Sequence, residues 1–307
     1  VEAVSLVDVV IIHHNTPELT SRCIETLLQS SAAPNIRIIV VDNASTDGSG
    51  EQLTAQFHSI TVVNLEQPHS YAAACNIGAQ LGNAPYLLLS NSDVEYSPDS
   101  IDRFVRYMDA HPAVAVCCPL QRYPDGRRQR SWGYFPGWSE IAALVTGVET
   151  FHNRCGHRST VPRAVPYCDG AALFFRRVAY EQIGGMDERF WFFCEDADIC
   201  YRLWQHGWQC HVLPSATIIH HRGATRQRSL EESIAFEQQN MAAKCLFVQL
   251  HRLPLWKYVP LGYAAAFQAR QLADSIAALF GLQAKRSIQR RIRRACIDAL
   301  LQHYAAN

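Results

Sequence analysis

Three short stretches of this 307-residue chain hold the side chains with the most chemical reach. Asn91-Ser92-Asp93 follows the apolar run Leu87-Leu88-Leu89, so a buried strand would deliver the Asp93 carboxylate to the strand's end. Hard divalent cations take oxygen ligands, and an acid at a strand end is a natural place for one. Glu195-Asp196-Ala197-Asp198 sets three acids directly behind Phe190-Trp191-Phe192-Phe193. An apolar wall raises a carboxylate's pKa and makes it a better general base. His220 and His221 end the strand-like run Ala216 to Ile219, where one imidazole could bind a metal and the other serve the structure. Each stretch also has a plain structural reading. The first is a possible Asx turn, the second a set of helix N-terminal acids favoured by the macrodipole, and the third a polar strand exit. With 13 histidines in the chain, coincidence is easy.

The elements that must position these residues follow from hydrophobic periodicity. Val7 to His14 and Ile36 to Val41 are β-branched runs of the kind buried on both sheet faces. Ile60 to Leu65, Tyr86 to Leu89 and Val114 to Pro119 read as further strands. Helices are expected after Pro17, from Tyr71 to Leu81 and from Pro98 to Ala110. Such alternation implies a parallel, doubly wound sheet, and ligands of such sheets sit beyond the carboxyl ends of the strands. His14-Asn15, Asp42-Asn43 and Asn91-Ser92-Asp93 all fall at those ends, on one rim. After Gln121 the pattern loosens into turns and aromatics. It returns at Tyr167 to Arg176 and in a helix near Asp196 to His206, and from about Leu230 the chain reads helical.

Composition narrows the classes. With 48% hydrophobic residues the chain can bury a sizeable core. Lys+Arg and Asp+Glu both number 28, which gives no electrostatic case for nucleic acid. From His251 onward, however, nine Lys and Arg face only Asp274 and Asp298. In that tail Ile288, Ile292, Cys296, Ala299 and Leu300 share one helical face. Arg286, Arg290, Arg293 and Arg294 lie towards the other, flanked by Lys285 and Arg291. Such a helix can lie on an anionic membrane surface, with Leu253-Pro254-Leu255-Trp256-Lys257-Tyr258 suited to the same interface. The alternatives are a solvated face on a helix packed against the rest of the chain, or a subunit contact. The eleven cysteines include no CxxC pair and read as buried, reduced thiols. No signal peptide and no run of 18 apolar residues is visible. The expected location is therefore cytoplasmic, with peripheral attachment to the inner face of a membrane.

Taken in order, the segments resemble the family 2 glycosyltransferases of GT-A fold. VDVVIIHHNTPELTSRCIETLL is similar to their opening strand and helix, and IIVVDNASTDGS to their nucleotide-base loop. YAAACNIGAQLGNAPYLLLSNSDV resembles the segment leading to an Asp-x-Asp motif. YCDGAALFFRR with GGMDERFWFFCEDADICYRLWQHGW resembles the acceptor-side segment, and IIHHRGAT the late metal histidine. The resemblance spans roughly residues 5 to 228. It implies a catalytic domain over 1–230, with a nucleotide-binding half at about 1–120 and an acceptor half at about 121–230. Residues 231–307 would form a helical, basic extension.

The resemblance also assigns roles. Asp42 is similar to the acid that hydrogen-bonds the base, with His14 and Asn15 in the adjoining loop. Asp93 resembles the metal ligand of the motif, and His220 the late histidine, because Thr225 then falls where the family carries a hydroxyl. Asp196 is similar to the catalytic base, and Glu195 would orient either that base or the acceptor. Gly170 resembles the close-approach position beside the donor sugar. A divalent metal, Mn2+ or Mg2+, is implied. One departure stands out: Asn91 occupies the first position of the metal motif, and its amide oxygen can accept a ribose hydroxyl or bind a cation but brings no charge. Gln-x-x-Arg-Trp, the mark of processive synthases, is absent, which argues for single-sugar transfer.

The expected reaction is inverting transfer from a nucleotide diphosphate sugar to a saccharide or lipid-linked saccharide in surface polysaccharide assembly. Because relatives with this opening and the ending EDADICYRL include rhamnosyltransferases, deoxythymidine diphosphate rhamnose is the first donor and a uridine diphosphate hexose the second. Three other classes are to be weighed. A nucleotide-sugar pyrophosphorylase would carry a Gly-rich loop where His13-His14-Asn15-Thr16-Pro17 stands. A non-catalytic saccharide-binding relative would be expected to lack Asp93 or Asp196. A dinucleotide dehydrogenase would need GxGxxG after a strand, which the chain does not have.

Overall fold

The computed structural model describes residues 5–146, 160–222, 229–279 and 287–305. Thr225, Lys285 and Arg286, each given a part above, lie outside the described residues. The chain divides into two compact units. The first comprises Val1–Gly133, His157–Trp191 and Glu195–Thr225; the second comprises Tyr134–Gly156, Phe192–Cys194 and Arg226–Asn307. The second unit thus takes in a segment near residue 140 as well as the C-terminal helices.

Among the described residues the first unit is built on a nine-stranded sheet. Its first four strands in sequence are β1 (Val7–His13), β2 (Ile36–Asp42), β3 (Thr61–Asn64) and β4 (Tyr86–Asn91). They pair in parallel in the order β3-β2-β1-β4. All seven residues of β1 are buried, as a β-branched strand covered on both faces must be. The short β5 (Val94–Tyr96) follows the turn at Ser92-Asp93, and then come β6 (Val114–Arg122), β7 (Trp132–Gly133) and β8 (Arg163–Ala164). The stretch Tyr167 to Arg176, where the pattern returns, is divided by Asp169-Gly170-Ala171 into β9 (Tyr167–Cys168), which pairs with β7 apart from this sheet, and β10 (Ala172–Arg176). β10 inserts antiparallel between β4 and β6, so the sheet is mixed, though mostly parallel. β11 (Gln209–His220) is longer than the run Ala216 to Ile219 suggested. It lies parallel to β6 and antiparallel to β5.

Pro17–Leu28 forms a helix with Pro in its first turn and buries Cys23, Ile24 and Leu27. A helix over Ser49–Gln56 has no counterpart in the periodicity, because Leu53 is its one buried large apolar residue. What holds it is polar: Ser49 Oγ lies 2.7 Å from His13 Nε2.

Within the second unit, helices Trp138–Thr146, Leu230–Leu250, Val259–Leu279 and Ser287–Ala305 pack together. Ser229 and Glu232 close a capping box at the start of the second of these. Lys244 pairs with Glu140 at 2.5 Å, and the Gly137 N–H donates to Tyr263 Oη at 3.0 Å. In the tail helix Ile288 is exposed, but other members of its apolar face are not. Cys296 and Leu300, placed on a face for the membrane, are buried with Ile297 inside the helical unit. Arg293 is taken up by Asp274 at 2.6 Å, and Arg290 donates to the Asp274 carbonyl at 2.9 Å. An amphipathic pattern is blind to whether lipid or another helix covers it.

One buried carboxylate with two arginine partners ties the first unit together. Asp8, fully buried in the apolar strand β1, accepts from Arg177 Nη2 at 2.6 Å, Arg37 Nε at 2.9 Å and the Ala84 N–H at 2.8 Å. Arg177 also donates to the carbonyls of Ala84 and Ala79. Removing one partner strands the other charge in the interior, which costs about 3–5 kcal/mol. Asp8→Ala should show that loss in denaturant unfolding followed by circular dichroism.

Candidate active site

The ends of β1 and β2 meet in register, His13 beside Asp42, and Asn91 ends β4 beside Ile12. Residues distant in sequence therefore share one rim. Asp42 is almost fully buried, and its Oδ1 accepts from the Ser45 N–H at 3.1 Å and from the Ser45 hydroxyl. Asn15 adopts a left-handed φ of 50°, which its short polar side chain tolerates. Its Oδ1 accepts from the Thr46 N–H at 2.9 Å, and its own N–H donates to Ser45 Oγ at 2.9 Å. The His14 ring lies 3.0 Å from the Asn43 carbonyl. His14, Asn15 and Asp42 are thus one cluster, seamed by Ser45. Beneath it His13 bridges Thr20 and Ser49 at 2.7 Å on each side, and burial lowers its pKa so that the ring stays neutral.

A second cluster surrounds the β4–β5 turn. Thr16 Oγ1 lies 3.0 Å from Ser92 Oγ, which joins the first loop to the turn. Because β11 pairs with β5, its end comes back over Asp93, and the His221 N–H donates to the Asp93 carbonyl at 2.9 Å. His220 Nε2 stands 3.4 Å from Asp93 Oδ1, whereas His221 Nε2 lies 2.6 Å from Glu95 Oε1. The two histidines, ambiguous in sequence, therefore have different neighbours. Among the described residues no three His, Cys, Asp or Glu side chains gather as a metal cluster. Asp93 and His220 nonetheless offer an oxygen and a nitrogen donor at a spacing that suits a small cation. Bonds of about 2.1 Å in octahedral geometry set neighbouring ligands about 3 Å apart, and Mg2+ is usually held by one or two carboxylates plus substrate phosphates, while an imidazole suits transition metals. The residues fit a metal that arrives with its diphosphate.

The third cluster forms where β10 begins. Asn91 N–H donates to the Ala171 carbonyl at 3.0 Å, which sets Asp169-Gly170-Ala171 beside the end of β4. The Gly170 N–H donates to Asp196 Oδ2 at 3.0 Å, and the Ala197 N–H to Asp196 Oδ1 at 2.8 Å. A methyl on Gly170 would stand 3.5 Å from that Oδ2, so glycine leaves this side of the carboxylate open. Asp196 sits in the first turn of the helix Glu195–Gln205 and remains partly exposed. Burial, then the charge of Asp169, pushes its pKa up to about 7. Burial and the adjacent Asp196 likewise raise Glu195, whose Oε2 is buried with no hydrogen-bond partner. Asp198 is a different kind of acid: fully buried, it pairs with Arg202 at 2.7 Å one turn on.

Asp169, Gln121 and Arg130 were not singled out from sequence. Asp169 Oδ1 accepts from Gln121 Nε2 at 3.0 Å, while Arg130 and Arg222 approach its Oδ2 at 3.9 and 4.0 Å. Burial alone would raise the Asp169 pKa, but Arg222 and Arg130 outweigh it and hold the carboxyl below its usual range. The one available signal was the position of Asp169, next to Gly170.

Comparison with known proteins agrees with this geometry. Residues 8–184 match the model of Glycosyl transferase family 2, and residues 156–223 match that described as the N-terminal domain of galactosyltransferase. The chain is 26% identical over 224 residues to the N-acetylglucosaminyl-diphospho-decaprenol L-rhamnosyltransferase of Mycobacterium tuberculosis, which covers 65% of this chain and 71% of that protein. It is 23% identical over 145 residues to rhamnosyltransferase WbbL of Escherichia coli, covering 44% of this chain and 52% of that one. The mannosyltransferase PcManGT of Pyrobaculum calidifontis, solved with GDP-Man and Mn2+, shares the fold with a TM-score of 0.62 at 16% identity over 98% of this chain and 87% of its own. With more than half its length matched, the chain belongs to glycosyl transferase family 2: it is a glycosyltransferase of GT-A fold that acts on a nucleotide-sugar donor.

Proposed function

We propose that the chain transfers one sugar in a single displacement, with inversion at the anomeric carbon. The observation that carries this reading is Asp196. Its carboxylate is clamped by two backbone N–H groups and raised towards neutrality, on the rim that also holds Asp93 and His220. In this reading Asp42, with His14 and Asn15, holds the nucleotide base, and Asn91 accepts from the ribose. Asp196 takes the proton of the acceptor hydroxyl as that oxygen bonds to the anomeric carbon, and the bond to the diphosphate oxygen breaks. Glu195, neutral and buried, orients Asp196 and the acceptor. Asp93 and His220 would hold Mn2+ or Mg2+, which when bound neutralises charge on the departing diphosphate.

The donor proposed is deoxythymidine diphosphate rhamnose, with a uridine diphosphate hexose second. Two of the relatives are rhamnosyltransferases by name, and one is named for a diphospho-decaprenol substrate. The proposed acceptor is accordingly a saccharide on a lipid carrier in surface polysaccharide assembly, met at the cytoplasmic leaflet. No described helix is long and apolar enough to cross a membrane. Contact with anionic lipid falls instead to the loop before Val259–Leu279. There Arg252 and Leu255 take left-handed φ values of 46° and 54°, Leu255 is 66% exposed, and Lys257 and Tyr258 are exposed beside it.

Each part has its own measurement. Nucleoside diphosphate release from deoxythymidine diphosphate rhamnose should need Mn2+ or Mg2+ and should be nearly lost in Asp93→Ala with folding intact. Equal turnover in chelator would remove the metal role. Asp196→Asn should keep donor binding and lose transfer by about 10²–10⁴. The sign of the pH effect follows from the raised pKa: a base that ionises near pH 7 is protonated and idle below it, so wild-type kcat/KM should climb through pH 7 and then level off. A flat profile from pH 5 to 9, or a product of retained configuration, would overturn the mechanism. Co-sedimentation with phosphatidylglycerol vesicles at low salt should fall when Leu255 and Tyr258 are both changed to Glu. Unchanged binding would move any membrane contact elsewhere.

A further inference from the structure

His220 and Asp93 face each other with the potential for two lone pairs, and which form His220 takes is decided one layer further in. His220 Nδ1 lies 3.1 Å from Gln121 Oε1, and Gln121 Nε2 lies 3.0 Å from Asp169 Oδ1. All three side chains are buried: Gln121 has no exposure, His220 5% and Asp169 7%. An amide has one accepting and one donating end, so its orientation carries information. Asp169 faces two guanidinium groups and can only accept, so it fixes the donating end of Gln121 towards itself. Turned over, the amide would press its oxygen against a carboxylate oxygen. The accepting end must then face His220 Nδ1, which places the imidazole proton on Nδ1 and leaves the lone pair of Nε2 directed at Asp93. Metal-binding histidines are commonly oriented in this way by a partner on the second nitrogen.

We propose that Gln121 is a positioning residue that locks His220 in the Nδ1–H tautomer, and that Asp169, held by Arg130 and Arg222, sets the direction of the lock. This rests on the metal reading of Asp93 and His220 given above. It adds a consequence: the acid beside the proposed base and the proposed metal histidine share one hydrogen-bonded wire, since Asp169 precedes Gly170, whose N–H holds Asp196. The side chain at 121 acts only through His220 and touches no reacting atom.

The tautomer is read directly. Metal-free protein labelled with nitrogen-15 on histidine gives long-range proton–nitrogen correlations that distinguish Nδ1–H from Nε2–H, and His220→Gln identifies the signal. Wild-type His220 should show Nδ1–H. In Gln121→Met, which keeps the volume, and in Asp169→Asn, which lets the amide turn over, the signal should become mixed or switch. Mn2+ titrated alone and with uridine diphosphate, followed by electron paramagnetic resonance, should bind about 10–100-fold more weakly in both variants. Thermal unfolding checks that the variants fold, and the wild-type spectrum decides the tautomer even where they do not. Nε2–H in the wild type overturns the lock. So does a tautomer that both variants leave unchanged, whatever their Mn2+ affinity, because a loss of affinity would then be structural. Failure of wild-type protein to bind Mn2+ would remove the metal reading, while the nitrogen-15 spectrum would still decide the lock.

Discussion

Because β10 runs antiparallel to β4, its first residues rather than its last reach the rim where the parallel strands finish. That pairing puts Ala172 opposite Ser90 and sets Asp169, Gly170 and Ala171 against the end of the strand that leads to Asp93. A parallel strand in the same slot would have carried its leading loop to the opposite edge of the sheet, far from any ligand. The insertion also separates β6 from β4, so β6 and its parallel neighbour β11 form the second half of the rim. Gln121 arrives on β6 and His220 on β11, and both are buried side by side. The three clusters of the site are consequences of strand pairing, each held by backbone hydrogen bonds at its base.

Charge then divides the labour among acids that stand close together. Carboxylates in a low-dielectric pocket cannot all ionise freely, so their neighbours decide which one does. Asp169 has two guanidinium groups and an amide, and stays charged despite burial. Asp198 is matched by Arg202 within its own helix, which makes it structural although it lies two residues from Asp196. For Asp196 burial and the charge of Asp169 outweigh the charge of Arg130, and for Glu195 burial and the charge of Asp196 prevail, so both are raised. The helix that carries them starts at Glu195, so its N-terminal dipole favours the charged form of its first-turn acids and offsets part of the cost. Just ahead of it Phe193 and Cys194 take left-handed φ values of 73° and 64°, a strained entry of the sort that clusters at functional sites.

The helical unit shows the limits of pattern in a different way. Its last helix has the basic and apolar faces of a surface-seeking peptide, yet Cys296, Ile297 and Leu300 are covered by protein. Burying those side chains inside the bundle gains the same hydrophobic free energy that a membrane would offer, about 25 cal/mol per Å². Arg293 and Asp274 then convert part of the tail's positive charge into a local pair. Ile288 at the start of that helix stays exposed, as does Leu255 in the loop before Val259–Leu279, where backbone conformation and not helical periodicity turns an apolar side chain outward.

By itself the sequence determined the parts that depend on local order along the chain. Unbroken β-branched runs can only be interior strands, so β1, β2 and β4 and the residues at their ends, Asp42, Asn91 and Asp93, were legible as one rim. The acids at 195 and 196, the glycine at 170 and the family itself were legible from the order of segments. The helix over Ser49–Gln56 was not, because polar contacts with the rim hold it where an apolar stripe would be needed for a signal. Nor was the split of Tyr167 to Arg176, which turns on a hydrogen bond from Asn91 to Ala171 across 80 residues. Only the tertiary structure decided which histidine faces Asp93, since His220 and His221 are equivalent until β11 pairs with β5 and sends alternate side chains to opposite faces. Only it joined Gln121 to Asp169 and to His220, because a buried polar wire is made of long-range contacts, and Gln121 and Asp169 carry no sequence pattern of their own that points to it.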